Sequence, residues 1–268
     1  MFRFVALVLL VPAAAAADPD HFVTIDRQDD SSRAGADVSK VFYPTNTGIV
    51  GSDIIGVRVD LHAQYVTPNA VGAYVSMPIG YVSGNDVSHT AVSDAEAGAI
   101  FIPQLAASHL KLVLHAGLAL PTLSKDADAA ATSRLTVWPR ITDYYQTIPE
   151  GLTLRFGCSP IVRDGRLFFR GDIGVDATLS ADQGADVTNG LRLNAGVGVD
   201  LGLAAVMLES TNIRVGGKDT VWLDTAALSA RFDGGPVSPY AALVFGVDHD
   251  AHSFMHEAIT LGLDGRLR

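Results

Sequence analysis

The sequence contains a single cysteine, Cys158, in 268 residues. A lone thiol cannot close an internal disulfide, so the fold is not stapled covalently, and Cys158 reads as a small hydrophobe on the apolar side of its segment. Beyond the N-terminus, no apolar run reaches the ~18 residues that a membrane-spanning helix needs. Positive charge is scarce: 19 Lys and Arg stand against 29 Asp and Glu, a formal charge of −10. That balance lacks the basic footprint that phosphate backbones require, so nucleic acid is not an expected partner. No G-x-S-x-G elbow, phosphate loop, dinucleotide fingerprint or zinc-ligand spacing occurs, so no catalytic residue, metal or cofactor is assigned.

What is present is apolar. The chain is 48% hydrophobic, with a mean hydropathy of +0.26. High apolar content without helical spans suits strands that need only every second residue to be greasy. Residues 1–17, MFRFVALVLLVPAAAAA, read as a secretory signal: Arg3 supplies the positive start, 4–11 the apolar stretch and 13–17 the small-residue cleavage site. Residues 18–53 follow as a polar N-terminal segment. Within it 26–37, DRQDDSSRAGAD, has the composition of an exposed, mobile loop.

From residue 54 onward alternation dominates. In Ile55–Val66, IGVRVDLHAQYV, one face carries Ile55, Val57, Val59, Leu61, Ala63 and Tyr65. The other carries Arg58, Asp60, His62 and Gln64. Successive strand residues point to opposite faces, so this is one apolar and one polar wall. The device recurs at 71–83, 110–121, 152–161, 167–178, 191–201, 220–232, 240–248 and 257–267, more weakly at 95–105, and with ambiguous phase at 203–215. Residues 84–94 read as a polar loop, and 122–150 as a long external or plug loop holding Trp138, Tyr144 and Tyr145.

Connections alternate in length. Short ones follow Val66, Ala106, Val162, Leu201 and Phe232, and longer ones follow Ser83, Pro121, Thr178, the ambiguous strand and Asp248. Outer-membrane barrels have short periplasmic turns and long external loops, a rhythm that a soluble sandwich has no reason to keep. The expected fold is all-β: a closed antiparallel up-and-down transmembrane β-barrel over 54–268. Counting back from the C-terminus, Ile55–Val66 runs downward, so a further strand is required within 21–50. That makes about twelve strands, or ten if one strand has been split near Leu201–Leu203.

The segments His62-Ala63-Gln64-Tyr65-Val66-Thr67-Pro68 and Ala116-Gly117-Leu118-Ala119-Leu120-Pro121-Thr122 resemble those of small bacterial outer-membrane β-barrel proteins. The resemblance implies the outer membrane of a Gram-negative bacterium, export through the secretory pathway, and outer-membrane lipid and the barrel-assembly machinery as partners. It departs at Leu267-Arg268, where an aromatic residue is common.

If the apolar faces meet lipid, the polar faces line the lumen. The expected lumen residues are Arg58, Asp60, His62, Gln64, Lys111, His115, Arg155, Arg170, Asp172, Asp176, Arg192, Asp200, Asp248, Asp264 and Arg266. Both signs are present. They either pair into a salt-bridged core that shuts the barrel or line a path for a small solute. Gly196, Gly198 and Gly262 on the same face leave room for water or for large side chains opposite. Tyr65, Tyr81, Phe101, Trp222, Phe232 and Tyr240 lie near strand ends, as interfacial girdles do. The leading function is a narrow channel or small-solute transport or binding protein with a mixed-charge lumen, gated by 122–150. The alternatives are a non-conducting structural or surface-interaction barrel, an outer-membrane lipid hydrolase using Ser253, and a soluble periplasmic β-protein. His249, His252 and His256, with Asp248 and Asp250, match no strong metal-ligand spacing and read as a hydrated loop.

Overall fold

The computed structural model describes residues 21–44, 54–84, 87–105, 109–180, 189–216, 220–233 and 235–267. The expected signal sequence over 1–17 and much of the loops after 180 and 216 lie outside the described residues. Thirteen strands are described: β1 Arg33–Phe42, β2 Ile55–Val66, β3 Val71–Gly84, β4 Val87–Val92, β5 Ala95–Phe101, β6 Leu110–Leu120, β7 Leu152–Asp164, β8 Leu167–Ser180, β9 Asn189–Asp200, β10 Ala204–Val215, β11 Val221–Phe232, β12 Val237–Gly246 and β13 Glu257–Arg266. Helix α1 spans Ala127–Thr136, a 3-10 segment spans Trp138–Thr147, and helix α2 spans His249–Phe254.

All sheet pairings are antiparallel, and neighbours follow chain order. The sheet closes on itself because β1 pairs with β2 on one side and with β13 on the other. The strand that the loop rhythm required upstream of Ile55 is therefore β1, and it supplies the seam. β4 and β5 both pair with β3, β4 against its far half and β5 against its near half. They act as one stave broken at Ser93-Asp94, so the thirteen strands make a twelve-stave barrel.

That break corrects the expectation of a polar loop over 84–94. Ile79 faces Val92 and Ser76 faces Glu96, so two residues of β3 oppose three of its partner. This is a bulge. Ala91 and Ser93 point inward before it, and Asp94 and Glu96 point inward after it. The one-residue phase change interrupts the alternation and hides the stave. Pro78 sits opposite, and its carbonyl accepts from the Ser93 amide at 3.0 Å.

The doubt at Leu201–Leu203 is settled by a tight turn. Gly202 holds φ +98°, a left-handed conformation that glycine adopts without strain. Asp200 Oδ1 accepts from its amide at 2.7 Å. β9 and β10 are thus separate strands.

Polarity is inverted relative to a soluble protein. Leu61, Val75, Phe156, Ile173, Leu208 and Leu261 are among the large apolar side chains that stay exposed, while the charged residues between such positions are buried. Strands of about 12 residues, tilted as barrel strands are, cover roughly 30 Å, the thickness of a bilayer core.

The lumen is not hollow. Residues 21–32 enter from the short-turn end and are almost entirely buried, which overturns the expected mobile loop over 26–37. A segment pressed against a charged lumen wall needs the same polar composition as a solvated loop, so composition alone misreads it. The 3-10 segment enters from the opposite end, so 122–150 behaves as a plug.

The wall is shaped to receive these plugs. A Cβ at Gly196 would collide with the Phe22 ring, one at Gly190 with Tyr145, and one at Gly80 with Thr136. Gly198 and Gly262 are filled by Phe168 and Tyr240 from the wall itself. Large side chains thus occupy the space that these glycines leave. Gly196→Leu should push Phe22 off its seat and destabilise the barrel by about 1–3 kcal/mol, as overpacking does. The check is the midpoint of heat-induced gel-mobility change, and an unchanged midpoint would contradict the packing.

Candidate functional site: the plugged, charged lumen

Eight arginines are buried among the described residues: Arg27, Arg33, Arg58, Arg140, Arg155, Arg170, Arg192 and Arg231. No described lysine is buried. A planar guanidinium donates in fixed directions to several acceptors at once, which suits a crowded interior better than a point charge does. Burying an ion is tolerable only when it is paired and hydrogen-bonded. Each of the eight meets at least one carboxylate.

Wall-to-wall pairs come first. Arg155 lies directly opposite Asp176 and donates to it at 3.0 Å, and it also meets Glu96, two staves along the wall on β5. Arg192 contacts the other oxygen of Asp176 at 2.9 Å. Arg58 forks onto Asp60 at 2.7 and 2.8 Å. Arg170 reaches Asp172 at 2.9 Å, and His62 shares 2.7 Å with Asp264 across the seam.

The N-terminal plug adds a second set. Asp26 pairs with Arg192 and lies 3.4 Å from His115. Asp29 binds Arg33 at 2.6 Å and accepts from Gln64 at 2.6 Å. Glu209 holds the plug by its backbone, accepting from the Val23 and Thr24 amides at 3.2 and 2.6 Å and from the Thr24 hydroxyl at 2.8 Å.

The 3-10 segment has two contrasting faces. Trp138 and Ile141 join an apolar cluster with Ile213, Leu223 and Val244 on β10–β12. On the other side Asp143 accepts from Arg58 at 2.7 Å, and Arg155 donates to the Thr142 carbonyl at 2.6 Å. Arg140 interrupts the helical geometry, with φ −141° and ψ 69°. From that kink its side chain reaches the N-terminal plug, donating to the Val23 carbonyl and, at 3.2 Å, to the Ile25 carbonyl. The two plugs meet at Arg140. Between them remains a cavity of about 20 Å³, lined in part by Arg27, Gln28, Gln64, Glu96 and Asp143, enough for one or two waters.

Twelve of the fifteen expected lumen residues bear on this interior with different force. Arg58, Asp60, His62, Gln64, His115, Arg155, Arg170, Asp172, Asp176, Arg192 and Asp264 are buried. Lys111 is half-exposed at the short-turn rim, 2.5 Å from Asp30. The other three lie at the margins. Asp200 pairs with Arg163 at 3.2 Å beside the turn it caps, and Arg266 is partly buried where β13 ends. Asp248 does not line the lumen. It lies beyond the end of β12, where it caps α2 by accepting from the Ala251 amide at 2.7 Å and also accepts from the Asp224 amide.

Of the six girdle candidates, Tyr65, Tyr81, Phe101, Trp222 and Phe232 are exposed on the outer face near strand ends. Tyr240 is not. It is 4% exposed, points inward, donates to Asp37 at 3.0 Å and packs edge-on against His21. The alternation of β12 carries this: Val237, Pro239, Ala241 and Phe245 face out, so an even position faces in. Sequence reasoning missed Arg27, Asp29, Glu96, Arg140, Asp143, Glu209 and Arg231. Four of these sit in the two plugs, which have no alternation to read, and Glu96 follows the bulge. Ser253, the nucleophile weighed for a lipid hydrolase, donates its hydroxyl to the Asp250 carbonyl at 2.7 Å on exposed α2.

The plug carboxylates keep their charge. Burial would raise Asp26, but Arg192 and His115 outweigh it and hold the group at about 2. Burial would likewise raise Asp143, and Arg140, Arg58 and Arg155 hold it well below the ordinary carboxylate range. Depressed carboxylates contribute stability that is complete above the unfolded value of ~3.9 and is lost as pH falls toward the folded one. The contribution of Asp26 should therefore be constant from pH 8 to about pH 4, and Asp26→Asn should lower the amide protection factors of residues 21–32 by one constant factor across that range. A penalty for Asp26→Asn that already shrinks near pH 6 would contradict it. Arg155→Ala, which leaves Glu96 without its arginine, should cost about 3–5 kcal/mol in urea unfolding of the folded barrel.

No known protein family matches the sequence, and no curated protein does. Solved structures do match by fold. An outer-membrane channel from Pseudomonas putida F1 is similar with a TM-score of 0.64 at 11% identity, over 95% of this chain and 100% of that one. The KdgM porin is similar with a TM-score of 0.53 at 9% identity, over 87% of this chain and 99% of that one. At such identities the likeness shows the fold alone, and that fold is the closed outer-membrane β-barrel.

Proposed function

We propose that the protein is an outer-membrane channel for a small polar solute, held shut at rest by two lumen plugs. The observation that carries this reading is how the lumen is filled. A barrel built only as a scaffold could close with bulky wall side chains. Here part of the wall withdraws to glycine at Gly80, Gly190 and Gly196, and the space is taken by segments that are not staves. Segments can move without breaking the barrel's backbone ladder. The fold likeness to a channel and a porin supports the same reading.

The exposed apolar belt faces outer-membrane lipid, with the short turns in the periplasm and the plug loop outside. When the 3-10 segment withdraws, Asp143 leaves Arg58 and Arg155, and a path opens along a wall that carries both charge signs. A solute bearing dipoles or paired charges fits such a wall better than an apolar one.

The second reading, a permanently closed structural barrel, is favoured by the small size of the cavity between the plugs, about 20 Å³. Planar-bilayer recording separates the two. The intact protein should show long closed periods. Arg140→Ala, which cuts the plug-to-plug contact, and a chain lacking 21–31 should both show sustained conductance steps. If both fold with normal heat-modifiable mobility and neither conducts, the channel reading fails and the structural one stands.

A further inference from the structure

The loop between β12 and β13 takes no part in the lumen's charge pairing, yet it is held firmly. Asp248 caps α2 at one end, and at the other the His256 amide donates to the Phe42 carbonyl at 2.9 Å. Ala251 and Met255 are buried, and Phe254 stacks on Trp138 with centroids 5.1 Å apart and planes 11° from parallel. The residues between these anchors turn the other way. His252 and His256 are exposed, four residues apart, with ring centroids at 5.1 Å and planes tilted by 51°. Neither ring has an ion pair or a side-chain hydrogen bond among the described residues.

That spacing is one that a shared ion can bridge. A metal–nitrogen bond of about 2.0–2.1 Å places each ring centroid about 3.2 Å from the ion, and a tetrahedral angle then separates two centroids by about 5.2 Å. The rings already stand at the distance that shared ligation sets. A neutral imidazole offers the ring-nitrogen lone pair that ligation needs. Imidazole suits zinc, copper and nickel, and water would complete the shell of a two-histidine site.

We propose that His252 and His256 form a chelating site for a first-row divalent ion of the zinc, copper or nickel type, and that the bound ion clamps α2 onto the plug. Phe254 lies between the two ligands in sequence and rests on Trp138, the first residue of the 3-10 segment. Fixing both histidines to one ion restrains Phe254 and so steadies the plug. Only the consequence for channel opening rests on the function proposed above.

The test uses the full, tag-free barrel folded in detergent, with Ni²⁺ as the probe. Calorimetry should show one ion per chain. His252→Ala and His256→Ala should each weaken binding by at least the ~10–100-fold that loss of even an outer-shell partner costs. His249→Ala should bind as the parent does. Amide exchange over 138–147 should slow on adding Ni²⁺ to the parent and stay unchanged in the two ligand variants. Absence of binding, or binding that survives both substitutions, overturns the site. Binding without slower exchange overturns the clamp. Neither measurement needs an open pore, so a failure of conduction would strike the channel reading alone.

Discussion

A guanidinium inside a barrel must find a carboxylate, and the rest of this structure follows from that requirement. Turning the apolar face toward lipid forces the polar face inward, where water is scarce. Among the described residues, eight arginines and eleven carboxylates are buried there together. Wall pairs such as Arg155–Asp176 satisfy part of the demand. The remainder falls to Asp26, Asp29 and Asp143, which the two plugs carry in. The plugs are therefore part of the electrostatic design of the wall, and removing one leaves buried charge without its partner.

The two plugs are held by different physics. The N-terminal plug is bound by carboxylates and by its own backbone, with Glu209 gripping consecutive amides. The 3-10 segment is bound on one side by ions and on the other by an apolar cluster around Trp138 and Ile141. Ion pairs with several hydrogen bonds are directional and break one by one, whereas apolar contact tolerates sliding. Arg140 joins the two, so motion of either is felt by the other.

Much of the barrel was legible in the sequence because lipid on one side and charge on the other write a period of two into every stave. Loop lengths gave direction, and direction demanded β1 before any strong pattern showed it. The misreadings share a cause. The segment 26–37 has no apolar face because both its sides meet polar groups, so it looks like solvent-exposed chain. The bulge at Ser93-Asp94 shifts the phase by one residue and dissolves β4 into apparent loop. Tyr240 lies near a strand end, as girdle residues do, but its parity on β12 places it inside. Asp248 continued the alternation of β12 by one step past the strand's end, where it caps a helix. Periodicity reports the face of a regular strand and is silent about segments that fill space between walls.

The seam between β1 and β13 has a consequence in time. Arg33 pairs with Arg266, so the first stave meets the last across nearly the whole described chain. Contacts of such sequence separation form late and slowly, because the intervening chain must be ordered before they are rewarded. The N-terminal plug directly precedes β1, and His21 lies 3.4 Å from Asp264 on β13. Zipping the last edge thus also completes the seat of the plug. Pairs within a stave or between adjacent staves need no closure, whereas His62 and His21 reach Asp264 only once β1 lies beside β13, and an unclosed cylinder leaves two unpaired edges. The final strand thus completes both the backbone ladder and the charge pairing across the seam.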